Sequence, residues 1–231
     1  MSILGIIPAR GGSKGIKRKN LTFLGGKPLI AHTIDAAINS NIDELIVSTD
    51  DEEIAEVSKK LGLAVPFIRP KELAMDNSNS IDVAINGLNQ MGKITNTFFD
   101  WIIYLQPTTP FRSSKDINNC LDIINEKKHI DSVISVVNVG SYHPARMKFI
   151  ESGLLVDPDF CETEENQNRQ ELRPMYIRNG AIYLTKRETL LSRSFKGNSS
   201  YAYEMSHDRS INIDSSEDLD FAKWQLIKNK N

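Results

Sequence analysis

Between Pro8 and Asn20 the chain reads PARGGSKGIKRKN, with three glycines and five basic side chains in thirteen residues. Gly11, Gly12 and Gly15 would let the backbone approach a ligand closely and adopt positive φ. Successive exposed backbone N–H groups form an anion-binding concavity. Arg10, Lys14 and Lys19 would add charge-assisted contacts to phosphate oxygens. That combination suits a triphosphate; a solvated basic turn is the alternative. The spacing is neither G-x-x-x-x-G-K-[ST] nor G-x-G-x-x-G, so neither a Walker A loop nor a dinucleotide-binding turn is indicated.

Four more stretches carry chemistry-bearing residues. Arg69, Ser78 and Ser80 lie in RPKELAMDNSNS, Gln106 in YLQPTTP, Asn179 and Tyr183 in RNGAIYLT, and Asn212 and Asp214 in INIDSSEDLD. Alternation along a strand would put Asn212 and Asp214 on one face, within reach of one cation. Mg²⁺ needs few protein ligands, since it keeps waters and takes phosphate oxygens. Plainer readings stand beside these: Arg69 pairing with Glu72 on a surface turn, Gln106 as a buried structural amide, and Ser215 with Glu217 and Asp218 starting the last helix.

The elements that must position these residues alternate in type. Ser2–Ile7 is a continuous apolar run, as expected of a strand covered on both faces. Ile30, Ile34, Ala37 and Ile38 recur at helical spacing. ELIVSTD reads as a second strand, and Thr49 to Glu52 has capping-box spacing before a helix carrying Ile54, Val57, Ser58 and Leu61. LAVPFI is a short strand candidate. Helices follow through Ile81, Ala84, Ile85 and Leu88 and through Ile117, Leu121 and Ile124, with strands at DWIIYLQP, DSVISVV and AIYLT. A helix from about Ser216 holds Leu219, Ala222 and Leu226. Trp101 and Trp224 sit in apolar patterns and read as core. Strands alternating with such helices imply βαβ units and a mainly parallel sheet, whose ligands bind beyond the carboxyl ends of the strands. Residues 140–176 break the rhythm, and apolar Phe149, Leu154, Leu155 and Val156 punctuate them; they read as a small subdomain or dimer-forming arm, or else as a surface excursion.

The 231 residues fit one α/β domain, 40% hydrophobic and 25% charged. With 28 basic and 30 acidic residues the formal net charge is −2, which gives no reason to expect nucleic acid or a membrane surface as a bulk partner. Cys120 and Cys161 make no disulfide framework, and Cys120 falls on an apolar helix face. The opening run is too short for a signal peptide or a membrane span, so a cytoplasmic protein is expected. No histidine has partners at zinc spacing.

IIPARGGSKGIKRKNL resembles the opening motif of the CMP-sialic acid synthetase (acylneuraminate cytidylyltransferase) family, which includes CMP-legionaminic acid synthetases. The resemblance continues in order through RPKELAMD, YLQPTTPFR and RNGAIYLT to INIDSSEDLD. The related Kdo-activating enzymes begin with a shorter loop that lacks the GGSKG-x-x-x-KN run. The resemblance implies a three-layer, Rossmann-like α/β nucleotidyltransferase with a small dimerisation arm at 140–176, a homodimer, and Mg²⁺ as cofactor. The implied reaction joins CTP to an acidic nine-carbon (nonulosonic) sugar, giving CMP-sugar and pyrophosphate.

The matching positions are as follows. Ala9, Arg10, Gly11, Ser13 and Lys19 would surround the nucleotide phosphates, with Lys19 at the α-phosphorus; Asn20, Arg69, Ser78 and Ser80 would lie near the cytidine. Gln106, Asn179 and Tyr183 would meet the sugar, together with Arg169 reaching a neighbouring subunit's site, although Arg173 and Arg178 compete by charge. Arg10, Lys19 and Asp214 would be catalytic, and Asp214 with Asn212 would hold the metal. The family pattern is Asp-x-Asp where this chain has Asn212 and Asp214. That departure motivates a second reading, a catalytically silent nucleotide-binding homologue, and a third would be a CMP-pseudaminic acid synthetase. A sialic or legionaminic acid type is expected over pseudaminic.

Overall fold

In chain order the elements are β1 (Ile3–Pro8), the two-residue strands β2 (Phe23–Leu24) and β3 (Lys27–Pro28), α1 (Leu29–Ile38), β4 (Glu44–Ser48), α2 (Glu52–Lys60), α3 (Ser80–Thr95), β5 (Trp101–Tyr104), α4 (Ser114–Glu126) and β6 (Ser132–Asn138). There follow β7 (Phe149–Glu151), β8 (Leu154–Val156), β9 (Tyr176–Lys186), α5 (Arg187–Leu191), β10 (Ser200–Glu204) and α6 (Ser216–Lys228). This computed structural model describes residues 1–162, 164–165, 167–168 and 170–228.

Six strands form one sheet in the order β10-β6-β9-β5-β1-β4. All run the same way except β9, which lies antiparallel between β6 and β5. The expected mainly parallel sheet is present. Strand alternation divides its apolar side chains between two faces. Ile3 and Ile7 of β1 pack with Ile30, Ile34, Ile117 and Leu121 of α1 and α4. Leu4 and Ile6 pack on the other face with Val83, Leu88 and Met91 of α3 and Leu190 of α5. Helices on both faces give the expected three layers. Cys120 is fully buried, and burial pushes its thiol pKa up. That leaves a packing residue with no thiolate chemistry at neutral pH.

Three local expectations need correction. Asp51, not Thr49, caps α2, its carboxylate accepting the Ile54 N–H at 2.9 Å. Thr49 is still extended at the strand exit, where its carbonyl accepts the Arg69 N–H at 2.8 Å. LAVPFI forms no strand; Pro66 removes a ladder donor, and only the Val47 N–H to Ala64 carbonyl bond and one bridge at Ile68 remain. Trp224 is 52% exposed and stacks on Phe221. It lies about 200° around α6 from buried Ala222, at 100° per residue, so it faces outward. The edge strand β10 is additional, with a polar, mostly exposed SYAYE sequence that carries little strand signal.

Of residues 140–176, all but Tyr176, which opens β9, fall between β6 and β9. The hairpin β7–β8 turns at Ser152 and Gly153, both at positive φ as a two-residue hairpin turn requires. Its Ile150, Leu154 and Leu155 are each more than 70% exposed. The excursion is tied back by the Val139 N–H to the Met175 carbonyl and by the His143 ring to the Arg173 carbonyl, both at 3.0 Å. Arg169 lies outside the described residues.

Candidate active site

The opening loop is built by what crowds it. Ala9 is buried, and its N–H extends the β1–β4 ladder to the Ser48 carbonyl at 2.9 Å. Gly11 donates its N–H to Asp50 Oδ1 at 3.0 Å, and a Cβ there would lie 2.5 Å from Asp51 Oδ2. A Cβ on Gly15 would lie 2.0 Å from the carbonyl oxygen of Asp214. None of Gly11, Gly12 and Gly15 has positive φ, against expectation; the left-handed residue of the loop is Arg18, at φ 57°. Gly11 and Gly15 are needed for space, and Gly12 borders open space. The Arg18 guanidinium clamps Asp51 and Glu53, and its hydrogen bond holds the Asp51 carboxyl below the usual carboxylate range.

Arg10 and Lys14 meet opposite oxygens of the Asp76 carboxylate, each at 3.0 Å. Buried Asn20 donates to the Arg10 carbonyl at 3.0 Å, which fixes the loop's turn back into the fold. Lys19 Nζ donates to Asp214 Oδ1 at 2.8 Å and to the Ile213 carbonyl at 3.0 Å. The loop is therefore joined to the segment before α6.

A cleft of about 270 Å³ opens beyond the carboxyl ends of β1 and β5. Arg10, Ser13, Lys19 and Asn20 line one side, Arg69, Ser78 and Ser80 another, and Gln106 a third. Eight of the expected site residues thus share one cavity. Arg69 is 3% exposed; its Nε and one terminal nitrogen have no hydrogen-bond partner, and Asp50 Oδ1 lies 3.6 Å from that terminal nitrogen. The Glu72 alternative is not the arrangement observed. Burial pulls the Arg69 pKa down, opposed by Tyr104 and Asp50, but a guanidinium stays protonated in proteins. Tyr104 is buried and hydrogen-bonded to Ser80, with its phenol pushed up to about 12 by burial. Ser78 Oγ donates to the Glu72 carbonyl at 2.9 Å, which shapes the loop between Arg69 and α3.

The remaining residues lie around β9. Tyr183 is the register partner of Tyr104 and packs on Phe195, 5.3 Å between ring centroids. Asn179 is buried, and its amide is saturated inside the fold. Its oxygen accepts from Ser135 Oγ and the Ala181 N–H; its nitrogen donates to Ser210 Oγ and Met205 Sδ. It therefore shapes the β9 bulge and has no free hydrogen-bonding capacity for a sugar. Gly180 has φ 77°, and a Cβ there would lie 2.7 Å from Gln106 Oε1. Gly180→Ala is expected to lower the melting temperature by roughly 2–8 °C, from a left-handed strain of about 1–2 kcal/mol. It should also displace the Gln106 amide. Calorimetry that finds an unchanged melting temperature would contradict this.

Asn212 and Asp214 are exposed and Ile211 and Ile213 buried, the expected alternation, but the segment is irregular and not a strand. A single ladder-like bond, Ile213 N–H to the Thr108 carbonyl at 2.8 Å, is too little to define one. Asn212 Nδ2 donates to Asp214 Oδ2 at 2.5 Å. The amide presents its nitrogen, not its carbonyl oxygen, to the carboxylate, so a shared cation would require the Asn212 amide to turn over, and Lys19 already sits on the other carboxylate oxygen. Among the described residues no three His, Cys, Asp or Glu side chains cluster as a metal cage. A donor set of one carboxylate and one amide fits Mg²⁺, which takes its other ligands from phosphate and water. Ser215 and Asp218 form the cap of α6, as expected: Asp218 Oδ2 accepts the Ser215 N–H at 2.9 Å and Ser215 Oγ accepts the Asp218 N–H at 3.2 Å.

Sequence reasoning missed Asp50, Asp76 and Tyr104. Asp50 was within reach of the strand-end rule, since it follows ELIVST at the carboxyl end of the second strand. Asp76 stood inside RPKELAMD without a role, and Tyr104 read as one more apolar strand residue. Among the described residues, no helix is long and apolar enough to cross a membrane.

A CMP-N,N'-diacetyllegionaminic acid synthase from Legionella pneumophila is 40% identical over 201 residues, 84% of this chain and 83% of that protein. An N-acylneuraminate cytidylyltransferase from Streptococcus agalactiae is 35% identical over 218 residues; these make up 93% of this chain and 51% of the longer streptococcal protein. The solved structure of CMP:2-keto-3-deoxy-manno-octonic acid synthetase complexed with CTP superposes with a TM-score of 0.73 at 17% identity, over 99% of this chain and 100% of that one. At that identity the likeness establishes the fold, which is the Rossmann-like nucleotidyltransferase type. The family profile described as cytidylyltransferase matches residues 4–224 and so takes in every side of the cleft, and the chain belongs to that family.

Proposed function

We propose that the protein transfers the cytidylyl group of CTP to a nonulosonic acid of the legionaminic or sialic type, releasing pyrophosphate. The observation that carries this reading is Arg69, a guanidinium sealed in the cleft wall with two nitrogens unpaired. A buried unsatisfied donor costs about 1–3 kcal/mol, so a ligand that supplies acceptors recovers that penalty. Guanidinium N–H groups form a fork of parallel donors. Cytosine offers adjacent acceptors at O2 and N3, whereas uracil presents an N–H at position 3, a donor facing a donor.

The other residues take roles that suit this pose. Asn20, Ser78 and Ser80 enclose the nucleoside, and Ser13 and Arg10 meet the phosphates; Ala9 and Gly11, expected there too, spend their N–H groups on Ser48 and Asp50 and hold the loop in place. Lys19 neutralises charge at the α-phosphorus as the anomeric hydroxyl of the sugar attacks in line. Gln106 and Tyr183 face the sugar, and Asn179 fixes the bulge that holds Gly180 against Gln106. Asp214 and Asn212 would hold Mg²⁺, which when bound neutralises phosphate charge and favours ionisation of the attacking hydroxyl. The exposed apolar hairpin at 149–156 supports an arm that pairs with a second copy. A CTP-dependent enzyme belongs in the cytoplasm.

A mass-spectrometric product screen with CTP, Mg²⁺ and sialic, legionaminic or pseudaminic acid tests the reading. CMP-legionaminic or CMP-sialic acid and pyrophosphate are expected. Product from pseudaminic acid alone would reassign the sugar. Thermal stabilisation by CTP with no turnover on any acid would favour the silent homologue suggested by Asn212.

A further inference from the structure

Asp50 stands between the two halves of the nucleotide site. It follows β4, whose exit is flanked on one side by β1 and its loop and on the other by Arg69. The Ala9 N–H bonds the Ser48 carbonyl at 2.9 Å, and the Arg69 N–H bonds the Thr49 carbonyl at 2.8 Å. From that seat the Asp50 carboxylate reaches both ways through one oxygen. Oδ1 accepts the Gly11 N–H at 3.0 Å and lies 3.6 Å from an Arg69 terminal nitrogen. The neighbouring Asp51 is turned away to cap α2 and clamp Arg18. Arg10, the other nearby cation, is paired with Asp76. Asp50 is thus the carboxylate that the buried Arg69 guanidinium faces.

Resting on the function proposed above, we infer that Asp50 is a positioning residue: it aims the Arg69 fork at the pyrimidine while holding the Gly11 end of the phosphate loop, so base recognition and phosphate grip are set by one side chain. At 3.6 Å the guanidinium faces Asp50 without a hydrogen bond to it, and because its Nε and that terminal nitrogen are sealed from solvent, the inference requires the fork to turn from the wall toward the base when CTP enters.

The two links are separable by substitution. Asparagine at position 50 keeps an oxygen for the Gly11 N–H but removes the charge facing Arg69. Alanine removes both. Titration calorimetry on the full chain, with CTP, UTP and inorganic tripolyphosphate as probes, reads the two halves independently. For Asp50→Asn the CTP affinity is expected to fall about tenfold, the scale of a weakened charge-assisted contact, with the CTP-over-UTP preference falling by a similar factor. Tripolyphosphate binding should stay within about twofold, which also certifies the fold. Asp50→Ala should weaken all three probes. In an Arg69→Gln background, Asp50→Asn should cost no further CTP affinity, because it acts through Arg69. An unchanged CTP-over-UTP preference in Asp50→Asn, equal losses of CTP and tripolyphosphate, or additive losses in the double variant would each overturn the inference. Wild-type protein that fails to bind CTP would overturn the parent reading, and this one with it. Wild-type selectivity that survives Asp50→Asn overturns the role of Asp50 alone.

Discussion

Arg69→Met should weaken CTP binding by about two to four orders of magnitude while leaving the unliganded protein as stable as before, or more so. The two effects have opposite signs for one physical reason. In the free protein the Arg69 guanidinium is desolvated, its Nε and one terminal nitrogen unpaired. Replacing a poorly compensated buried ion by an apolar side chain of similar volume is commonly neutral or stabilising. Asp50 is not stranded by the change, because it keeps the Gly11 N–H and is partly exposed. With CTP bound, two charge-assisted hydrogen bonds at about 1.5–3 kcal/mol each are lost. That amounts to roughly 3–6 kcal/mol, or two to four orders of magnitude in dissociation constant. Arg69→Lys should recover little, since an ammonium is a point charge without the fork. Calorimetric melting with and without CTP measures both halves. A destabilised apo protein that still binds CTP normally would refute the assignment.

Gly15→Ala should damage fold and turnover together. Its added carbon would sit 2.0 Å from the Asp214 carbonyl oxygen, a backbone atom that cannot swing aside as a side chain would. The loop and the 211–214 segment must part, which pulls on the Lys19 bonds to Asp214 and to the Ile213 carbonyl. Overpacking of this kind costs about 1–3 kcal/mol, or roughly 2–12 °C of melting temperature for a chain of this size. Turnover should fall about a hundredfold, because displacements near 1 Å at a reacting centre carry penalties of that order. Gly12→Ala is the control for the fold: no protein atom lies within 4 Å of the added carbon, so the melting temperature should be near wild type, although Gly12 borders the cleft and its turnover is not a control. Equal melting temperatures of the two variants would show that close packing at Gly15 does not matter.

The legible parts of the molecule were those with a strong local pattern. Apolar runs such as WIIY and the helical spacing of Ile117, Leu121 and Ile124 read directly as elements, and the strand-end rule located the cleft. What stayed hidden depended on long-range partners. That β9 runs antiparallel between β6 and β5 leaves no mark on AIYLT, because a strand covered on both faces reads the same in either direction. β10 is a polar edge strand paired on one side only. The glycines were assigned positive φ from their type, yet their need comes from Asp51 and Asp214, residues 40 and 199 positions away in the chain for Gly11 and Gly15 respectively. Asn179 illustrates the same limit at the site: its motif marked it as important, and only its neighbours, Ser135 and Ser210 among them, reveal an amide spent on holding the backbone.

Asp76 bears on how a nucleotide would arrive and leave. Because its carboxylate already pairs with both Arg10 and Lys14 and offsets one of their two charges, an incoming polyphosphate would displace a tethered counter-ion as well as dissolved ones. Association then frees fewer dissolved ions than the number of basic residues suggests, and its dependence on ionic strength is shallow. With the anion gone, Asp76 ties the loop after β1 to the segment between Arg69 and α3, so the two walls of the empty cleft are held together by the charge pairs that a polyphosphate would replace.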